Sequence, residues 1–267
     1  MTGKVIKNIV FWIIFVCLSK VIMERIWTFF SFPLNLFLAM IWIAGLVWLW
    51  KNKPSCALVR FLLSPAATVS SLILFLAMGI WIGLTSRTWV VRSIPFVLGF
   101  LYMQTVLFMV TLRGWRRPSG PVRWRFLLIH SGMLLALGAG FWGAPDSYEL
   151  RVKSAKGTTT EVAYDNNGSL TGLGYELTLN DFKTEFSKSG QPSHYEAWVS
   201  VNGDDQAVIT VNHPYNVRFG EDIYLTSVSD EGCVFQIVRE PWRYFALVGI
   251  LMLIAGAFML FVGGPRR

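Results

Sequence analysis

Residues 125–143 read RFLLIHSGMLLALGAGFWG, and this stretch decides the class of protein. After Arg125 the chain is free of formal charge as far as residue 145, about the 20 residues that a helix needs to cross a bilayer. One titratable side chain lies inside the run, His130, which a helix would place roughly 7–8 Å past Arg125. The stretch therefore predicts a membrane-spanning helix that carries an imidazole near one end.

The composition of the chain also indicates a membrane protein. Hydrophobic residues make up 54% of the 267 residues, charged residues only 15%, and the mean hydropathy is +0.49. These values are too apolar for a soluble globular protein of this length. The net charge of +8 does not indicate nucleic-acid binding, because the basic residues stand at the ends of apolar runs, where they signal topology.

Six apolar runs are candidates for membrane-spanning helices. We expect them at about 8–23, 30–50, 64–84, 94–112 and 126–143, with the sixth inside 242–267. The first run is short and contains Lys20, whose long side chain can reach the headgroups. It resembles a signal peptide, but the segment CLSKVIMERI offers no small-x-small cleavage site, so we expect an uncleaved anchor.

The distribution of lysine and arginine predicts the orientation. One set of alternate connections is rich in these residues: Lys4, Lys7, Lys51, Lys53, Arg60, Arg113, Arg116, Arg117, Arg123, Arg125, Arg266 and Arg267. The other set has only Arg25, Arg87 and Arg92. We therefore expect both termini in the cytoplasm and the segment 146–241 outside, with the five arginines at 113–125 acting as orientation signals. The segment agrees, since it holds 15 of the 16 acidic residues and 7 of the 24 basic ones, a net charge of −8.

The segment 146–241 has the pattern of β-strands. Residues 175–179, YELTL, alternate apolar and polar side chains as a half-buried strand does. Asn202-Gly203 lies between two further strand-like runs, and this pair favours a tight hairpin turn. With other strands expected at 148–154, 159–165, 221–228 and 233–239, the seven strands predict a small antiparallel sandwich or barrel. The domain boundaries are then 1–145 for five helices, 146–241 for the β domain, and 242–267 for the sixth helix and a short cytoplasmic tail.

Other residues give no sign of catalysis. Cys17, Cys56 and Cys233 are expected in three different places, and no C-x-x-C or C-x-x-C-H motif is present, so the chain is neither a thiol relay nor a c-type cytochrome. His194 and His213 are expected to be solvated or hydrogen-bonded at strand ends. The sequence shows no Ser/His/Asp arrangement, no phosphate-binding glycine loop and no paired carboxylates at a suitable spacing.

His130 allows two interpretations. It is either a neutral imidazole that bonds to a neighbouring helix or tilts into the interface, or it is a ligand to a metal or to haem iron. Gly132, Ala136 and Gly140 recur at helical spacing beside it, and such a stripe lets another helix or a flat ligand approach closely. No second histidine lies in a predicted span, so a six-coordinate haem would need its other axial ligand from another chain.

From Arg125 to about residue 264, the sequence resembles the ResB/CcsB-like family of System II cytochrome c biogenesis. The resemblance rests on motifs that follow one another in order: His130-Ser131-Gly132 with Gly138-Ala139, then GYELTLNDFKTEF, GQPSHYEAWVSV, Val211-Asn212-His213-Pro214, FGEDIYLTSVSD and VREPW before the last span. The first two predicted spans match nothing in the family pattern, which usually has four spans.

The resemblance implies a function in haem handling. Family members pair with a CcsA/ResC-type membrane protein, and together they move haem outward and attach it to apocytochrome c. The transmembrane haem-ligand histidine of the family falls on His130. The chain would then be a subunit of a holocytochrome c synthase complex in the bacterial cytoplasmic membrane. Two rival functions are a membrane-anchored β-domain that binds or scaffolds without haem, and a transporter, which the lack of repeat symmetry disfavours.

Overall fold

The computed structural model describes residues 30–85, 90–115, 123–186 and 192–263. The chain divides into two compact units, whose borders fall between Pro145 and Asp146 and between Pro241 and Trp242. We call them the helix unit and the β unit. The predicted helix at 8–23 lies outside the described residues.

The helix unit contains six helices within the described ranges: α1 Leu34–Asn52, α2 Ala57–Leu62, α3 Pro65–Thr85, α4 Ile94–Trp115, α5 Trp124–Gly143 and α6 Arg243–Gly263. All but α2 are long and apolar enough to cross a membrane. These five lie at the predicted positions, although α1 begins at Leu34 and not at residue 30. Pro33 precedes it, and proline lacks the N–H that a helix interior requires. The short α2 was not predicted, because residues 51–60 read as a cytoplasmic loop.

Helices α5 and α6 pack through glycines. A Cβ atom on Gly132 would lie 2.7 Å from the carbonyl oxygen of Gly249, and one on Gly249 would lie 2.7 Å from the backbone nitrogen of Ala136. Real Cβ atoms do not approach other atoms this closely. The backbones of the two helices can therefore meet only because both positions lack side chains.

Many apolar side chains of the helix unit face outward. Leu84 and Phe261 are 81% and 86% exposed, which suits a surface covered by lipid tails. A small buried cluster joins α2, α3 and α4 around Met109, and another around Ala39, Ala139 and Trp242 joins α1, α5 and α6. Helix packing in this unit thus rests on few buried contacts.

The β unit is one antiparallel sheet of eight strands: β1 Tyr148–Ser154, β2 Thr159–Tyr164, β3 Leu170–Phe186, β4 Pro192–Val201, β5 Asp204–Thr210, β6 Tyr215–Arg218, β7 Glu221–Ser229 and β8 Gly232–Arg239. Their order is β5-β4-β3-β2-β1-β8-β7-β6. Every strand pairs with its neighbour in sequence except across one break between β5 and β6, and β1 pairs with β8. The result is an up-and-down meander in which the first strand pairs with the last. An isolated bridge between Thr210 and His213 follows β5 in the connection to β6.

The sheet encloses a single apolar core. Its members alternate along the strands, as Leu150 and Val152 do on β1 and Phe235 and Ile237 on β8. The predicted hairpin turn is confirmed, since Asn202 and Gly203 have φ values of +54° and +76°, which a type I′ turn requires. The count of seven strands was wrong. The four residues of β6 are too few to show an alternating pattern, and the sequence reading also missed how far β3 extends.

Candidate functional site

His130 lies in the second turn of α5. The helix begins at Trp124, and the carbonyl oxygen of Arg123 accepts the first hydrogen bond from Leu127 N at 3.0 Å. The His130 side chain is half-buried. A polar group at this depth of an apolar helix costs free energy unless it finds a partner, so its contacts define what it can do.

Two contacts orient the imidazole. Its Nδ1 lies 2.9 Å from the carbonyl oxygen of Phe126, and the Phe126 ring stacks on it with centroids 3.9 Å apart and planes 27° apart. A carbonyl oxygen can only accept a hydrogen bond, so Nδ1 carries the proton and Nε2 keeps its lone pair. In the described part of the chain, Nε2 makes no hydrogen bond. The hydrogen-bond partner of His130 therefore belongs to its own helix. The first interpretation of the sequence placed this partner on a neighbouring helix.

With Nδ1 bonded to a backbone carbonyl, the imidazole has the orientation that is common for a metal ligand, with Nε2 as the donor atom. Metal-ligating histidines commonly donate their other ring N–H to a backbone carbonyl, which fixes the tautomer and the ring orientation. The described residues hold no group of three or more metal-ligating side chains. One imidazole alone suits an iron whose equatorial ligands are already supplied, as in haem, better than a bare ion. The residues around His130 are thus compatible with a haem ligand.

The stripe of small residues beside His130 serves mainly helix packing. Gly132 and Ala136 contact Gly249 of α6, whereas a Cβ atom on Gly140 would meet nothing within 4 Å. An offset of two residues turns a helix by about 200°, so Gly132 and His130 lie on nearly opposite faces of α5. His130 therefore faces away from the contact with Gly249.

Two amides in the helix unit were missed by a search for titratable groups. Asn35 donates from Nδ2 to the carbonyl oxygen of Trp142 at 2.7 Å, which satisfies one of the last carbonyls of α5. Gln104 on α4 is 1% exposed, and its Nε2 has no hydrogen-bond partner among the described residues. Both could have been found as amides inside apolar runs, since buried polar groups of any kind are costly there.

Aromatic rings pack between α1, α4 and the C-terminal end of α5. Phe100 on α4 stacks on Phe141 of α5 at 4.9 Å, and Trp142 makes an edge contact with Phe141 at 5.3 Å. The ring centroids of Trp42 on α1 and Phe108 on α4 are 5.8 Å apart. The ring pairs join α1, α4 and α5 in an apolar layer where polar groups are few.

The other residues considered in the sequence each have their own surroundings and form no common site in the described part of the chain. His194 Nε2 lies 3.3 Å from Glu196 Oε1, and His213 is exposed at a strand end, as expected of both. Arg113 donates to the carbonyl oxygen of Leu63 at 2.7 Å, which satisfies the end of α2. Arg116 and Arg117 lie outside the described residues.

The β unit holds a buried ionic cluster that the sequence did not reveal. Glu221 is fully buried, and its Oε2 accepts hydrogen bonds from Tyr148 Oη at 3.0 Å and from Arg218 Nε at 2.9 Å. The same oxygen forms ion pairs with Arg218 Nη2 at 2.8 Å and with Arg239 Nη1 at 3.5 Å. Register pairs these four residues across β1, β8, β7 and β6 in one row. Tyr175 lies beside it, and burial followed by the charge of Glu221 raises the pKa of its phenol.

The cysteines of the described chain are not paired. Cys233 is buried in the β-unit core, and burial raises the pKa of its thiol to about 11. The thiol is then almost wholly protonated at neutral pH and acts as a small hydrophobic side chain. Cys56 is exposed. Cys17 lies outside the described residues.

Comparison with known proteins adds three findings. No curated protein matches the chain. A solved structure titled "Cytochrome c Heme Lyase CcmF" is similar at 16% identity with a TM-score of 0.42, over 70% of this chain and 33% of that one, so the chain spans about a third of its length. The model of the ResB-like family matches residues 122–234, which include His130 and most of the β unit. The resemblance to the ResB-like family is therefore confirmed over residues 122–234.

Proposed function

We propose that this chain is a ResB-like component of cytochrome c maturation that holds haem in the membrane together with a CcsA/ResC-type partner. The haem would then be attached covalently to apocytochrome c. The ResB-like family match supports the role in cytochrome c biogenesis. The observation that carries haem binding is the His130 tautomer, in which the bond from Nδ1 to Phe126 leaves the Nε2 lone pair available.

The residues around His130 act by orientation. The hydrogen bond to Phe126 O fixes the imidazole about one axis, and the stacked Phe126 ring restrains its plane. Haem, when bound, would supply a redox-active iron, and His130 is the residue of this chain that would hold it through Nε2. Fixing the donor in advance lowers the entropy cost of ligation.

The partner supplies what this chain lacks. The sequence has three histidines, and only His130 belongs to the helix unit. Any second histidine that held the haem would therefore come from the CcsA/ResC-type protein. Thioether formation needs haem, reduced cysteines and correct orientation, and little acid–base chemistry from this chain, which accords with the absence of a catalytic motif in its sequence.

The proposal includes the predicted orientation. Both termini lie in the cytoplasm of a bacterium and the β unit lies outside the cytoplasmic membrane, as the distribution of basic residues indicates. In this arrangement the acidic β unit takes part in receiving apocytochrome c, while His130 lies near the side from which haem arrives.

Haem content of the purified complex tests the proposal. The chain is co-expressed with its partner, and haem is quantified by absorbance per mole of complex for the wild type and for His130→Ala. We expect the haem content of the His130→Ala complex to be about one tenth of the wild-type value or less, because the bond from the imidazole to the iron is lost. Added imidazole should restore part of the spectrum, since it can replace the missing ligand.

A matched control is His213→Ala, which removes an exposed histidine and should leave the haem content unchanged. Equal haem in His130→Ala and the wild type would remove His130 from the ligand role. A complex that never contains haem, and a chain that tolerates His130→Leu, would instead favour the anchored β-domain without haem.

A further inference from the structure

The backbones of Arg123 and His130 stand at nearly the same angle around the axis of α5. The two residues are seven positions apart, which is about 20° short of two full turns, and they are separated by about 10 Å along the axis. Arg123 is the N-cap residue of α5: its ψ of 69° is not helical, but its carbonyl oxygen accepts the hydrogen bond from Leu127 N at 3.0 Å, so its Cα stands at the start of the helix. Phe126, the partner of His130, lies between them. Arg125 is about 140° away from His130 around the same helix.

The Arg123 side chain has no counterion among the residues that the structure describes. It is exposed, and it makes no hydrogen bond or ion pair with any residue of the described ranges. This contrasts with Arg113, which donates to Leu63 O. Outside residues 146–241 the chain has 17 basic residues and a single acidic one, Glu24, which the structure does not describe. The described helix unit therefore offers Arg123 no carboxylate.

We propose that Arg123 binds a carboxylate of the molecule whose iron His130 ligates. The inference rests on the proposed function and makes Arg123 the positioning residue for a haem propionate. A haem has an apolar ring and two carboxylates on one edge. Placed on this face of α5, it has its iron at the imidazole and its charged edge towards the basic end of the helix. A guanidinium is the side chain best shaped to pair with a carboxylate, through two parallel hydrogen bonds.

The test compares haem with its dimethyl ester. The ester keeps the iron and the ring but has no negative charge on the propionates. Complexes of the chain with its partner are purified from haem-depleted cells, and each ligand is titrated by absorbance. We expect Arg123→Gln to weaken haem binding about fivefold and to leave ester binding unchanged, because a partly exposed charge pair is lost. Arg123→Lys should recover part of the difference.

The matched control is Arg60→Gln, which removes one charge at an exposed position of α2, and it should change neither affinity. If Arg123→Gln weakens both ligands equally, or neither, the pairing with a propionate is wrong. An arginine that binds lipid phosphate would not distinguish haem from its ester, and an effect of net positive charge alone would appear in Arg60→Gln as well.

The outcome separates this inference from the function on which it rests. If His130→Ala loses both ligands while Arg123→Gln binds haem as the wild type does, the haem function stands and the role of Arg123 is overturned. If the wild-type complex binds neither ligand, both are overturned.

Discussion

The helix unit and the β unit treat their polar side chains differently. In the β unit, the buried carboxylate of Glu221 is matched by Tyr148, Arg218 and Arg239, all from the same unit. In the helix unit, the imidazole Nε2 of His130 and the amide nitrogen of Gln104 have no hydrogen-bond partner among the described residues. The β unit also has two buried oxygens without a hydrogen-bond partner in the described chain, Glu221 Oε1 and Tyr175 Oη, but Glu221 has charged partners from the same unit, whereas the described helix unit offers His130 Nε2 and Gln104 Nε2 no partner.

The apolar side chains show the same contrast. The β unit buries 15 residues in one enclosed core, from Leu150 on β1 to Ile237 on β8. The helix unit exposes large apolar side chains over long stretches of α3 and α6 and joins α5 to α6 by the backbone contact at Gly132 and Gly249. The β unit is stabilised by its own buried core, while the helix unit has an apolar surface that suits contact with lipid or with another protein. Three substitutions test this difference, beyond the two experiments above.

The largest effect is expected for Glu221→Gln. The neutral amide cannot pair with Arg218 and Arg239, so two guanidinium groups lose their buried counterion. We expect a loss of about 3 kcal/mol in the free energy of unfolding of the β unit, since breaking one side of a buried ionic cluster is costly. Thermal unfolding of the full chain in detergent, with hydrogen exchange of the β7 and β8 amides, measures it.

The control for this substitution is Glu185→Gln, which removes an exposed carboxylate 2.7 Å from Lys183. Water screens that pair, so we expect no measurable change. A Glu221→Gln variant as stable as Glu185→Gln would show that the cluster contributes nothing and would break the contrast between the units.

A smaller effect is expected for Gly249→Leu. A Cβ atom there would lie 2.7 Å from Ala136 N and 2.8 Å from Gly132 O, so α6 must move away from α5. We expect a loss of about 2 kcal/mol, measured by thermal unfolding in detergent. Gly79→Leu on α3 is the control, because nothing lies within 4 Å of that position. Equal stability of the two variants would contradict the close packing of α5 on α6.

The smallest effect is expected for Gly203→Ala. Gly203 has a φ of +76° in the turn between β4 and β5, a conformation that alanine adopts at a cost of about 1 kcal/mol. Its neighbourhood is open, so backbone strain is the only cause. Urea unfolding of the full chain measures it, with Gly172→Ala as the control, since Gly172 is equally open and its φ lies outside the left-handed region. If both variants are equally stable, the turn does not constrain the hairpin.

Much of the fold could be predicted because it depends on local pattern. The apolar runs gave the five long helices, and alternation gave the strands β1, β2, β7 and β8 almost to the residue. The strand count failed at β6, whose four residues form a strand only because β7 is beside them. The cluster at Glu221 escaped for the same reason, since its four members are neighbours only through the register of four strands.

For the candidate site, the sequence determined that one imidazole lies inside an apolar helix, because the cost of burying a polar group makes His130 stand out. It could not decide between a structural histidine and a ligand. The structure adds the contacts on which the ligand proposal rests: Nδ1 bonds to Phe126 O, and Gly249 packs on the opposite face of α5. Composition and periodicity set which segments form helices and strands, whereas the free lone pair of His130 depends on distances between atoms that the order of residues does not fix.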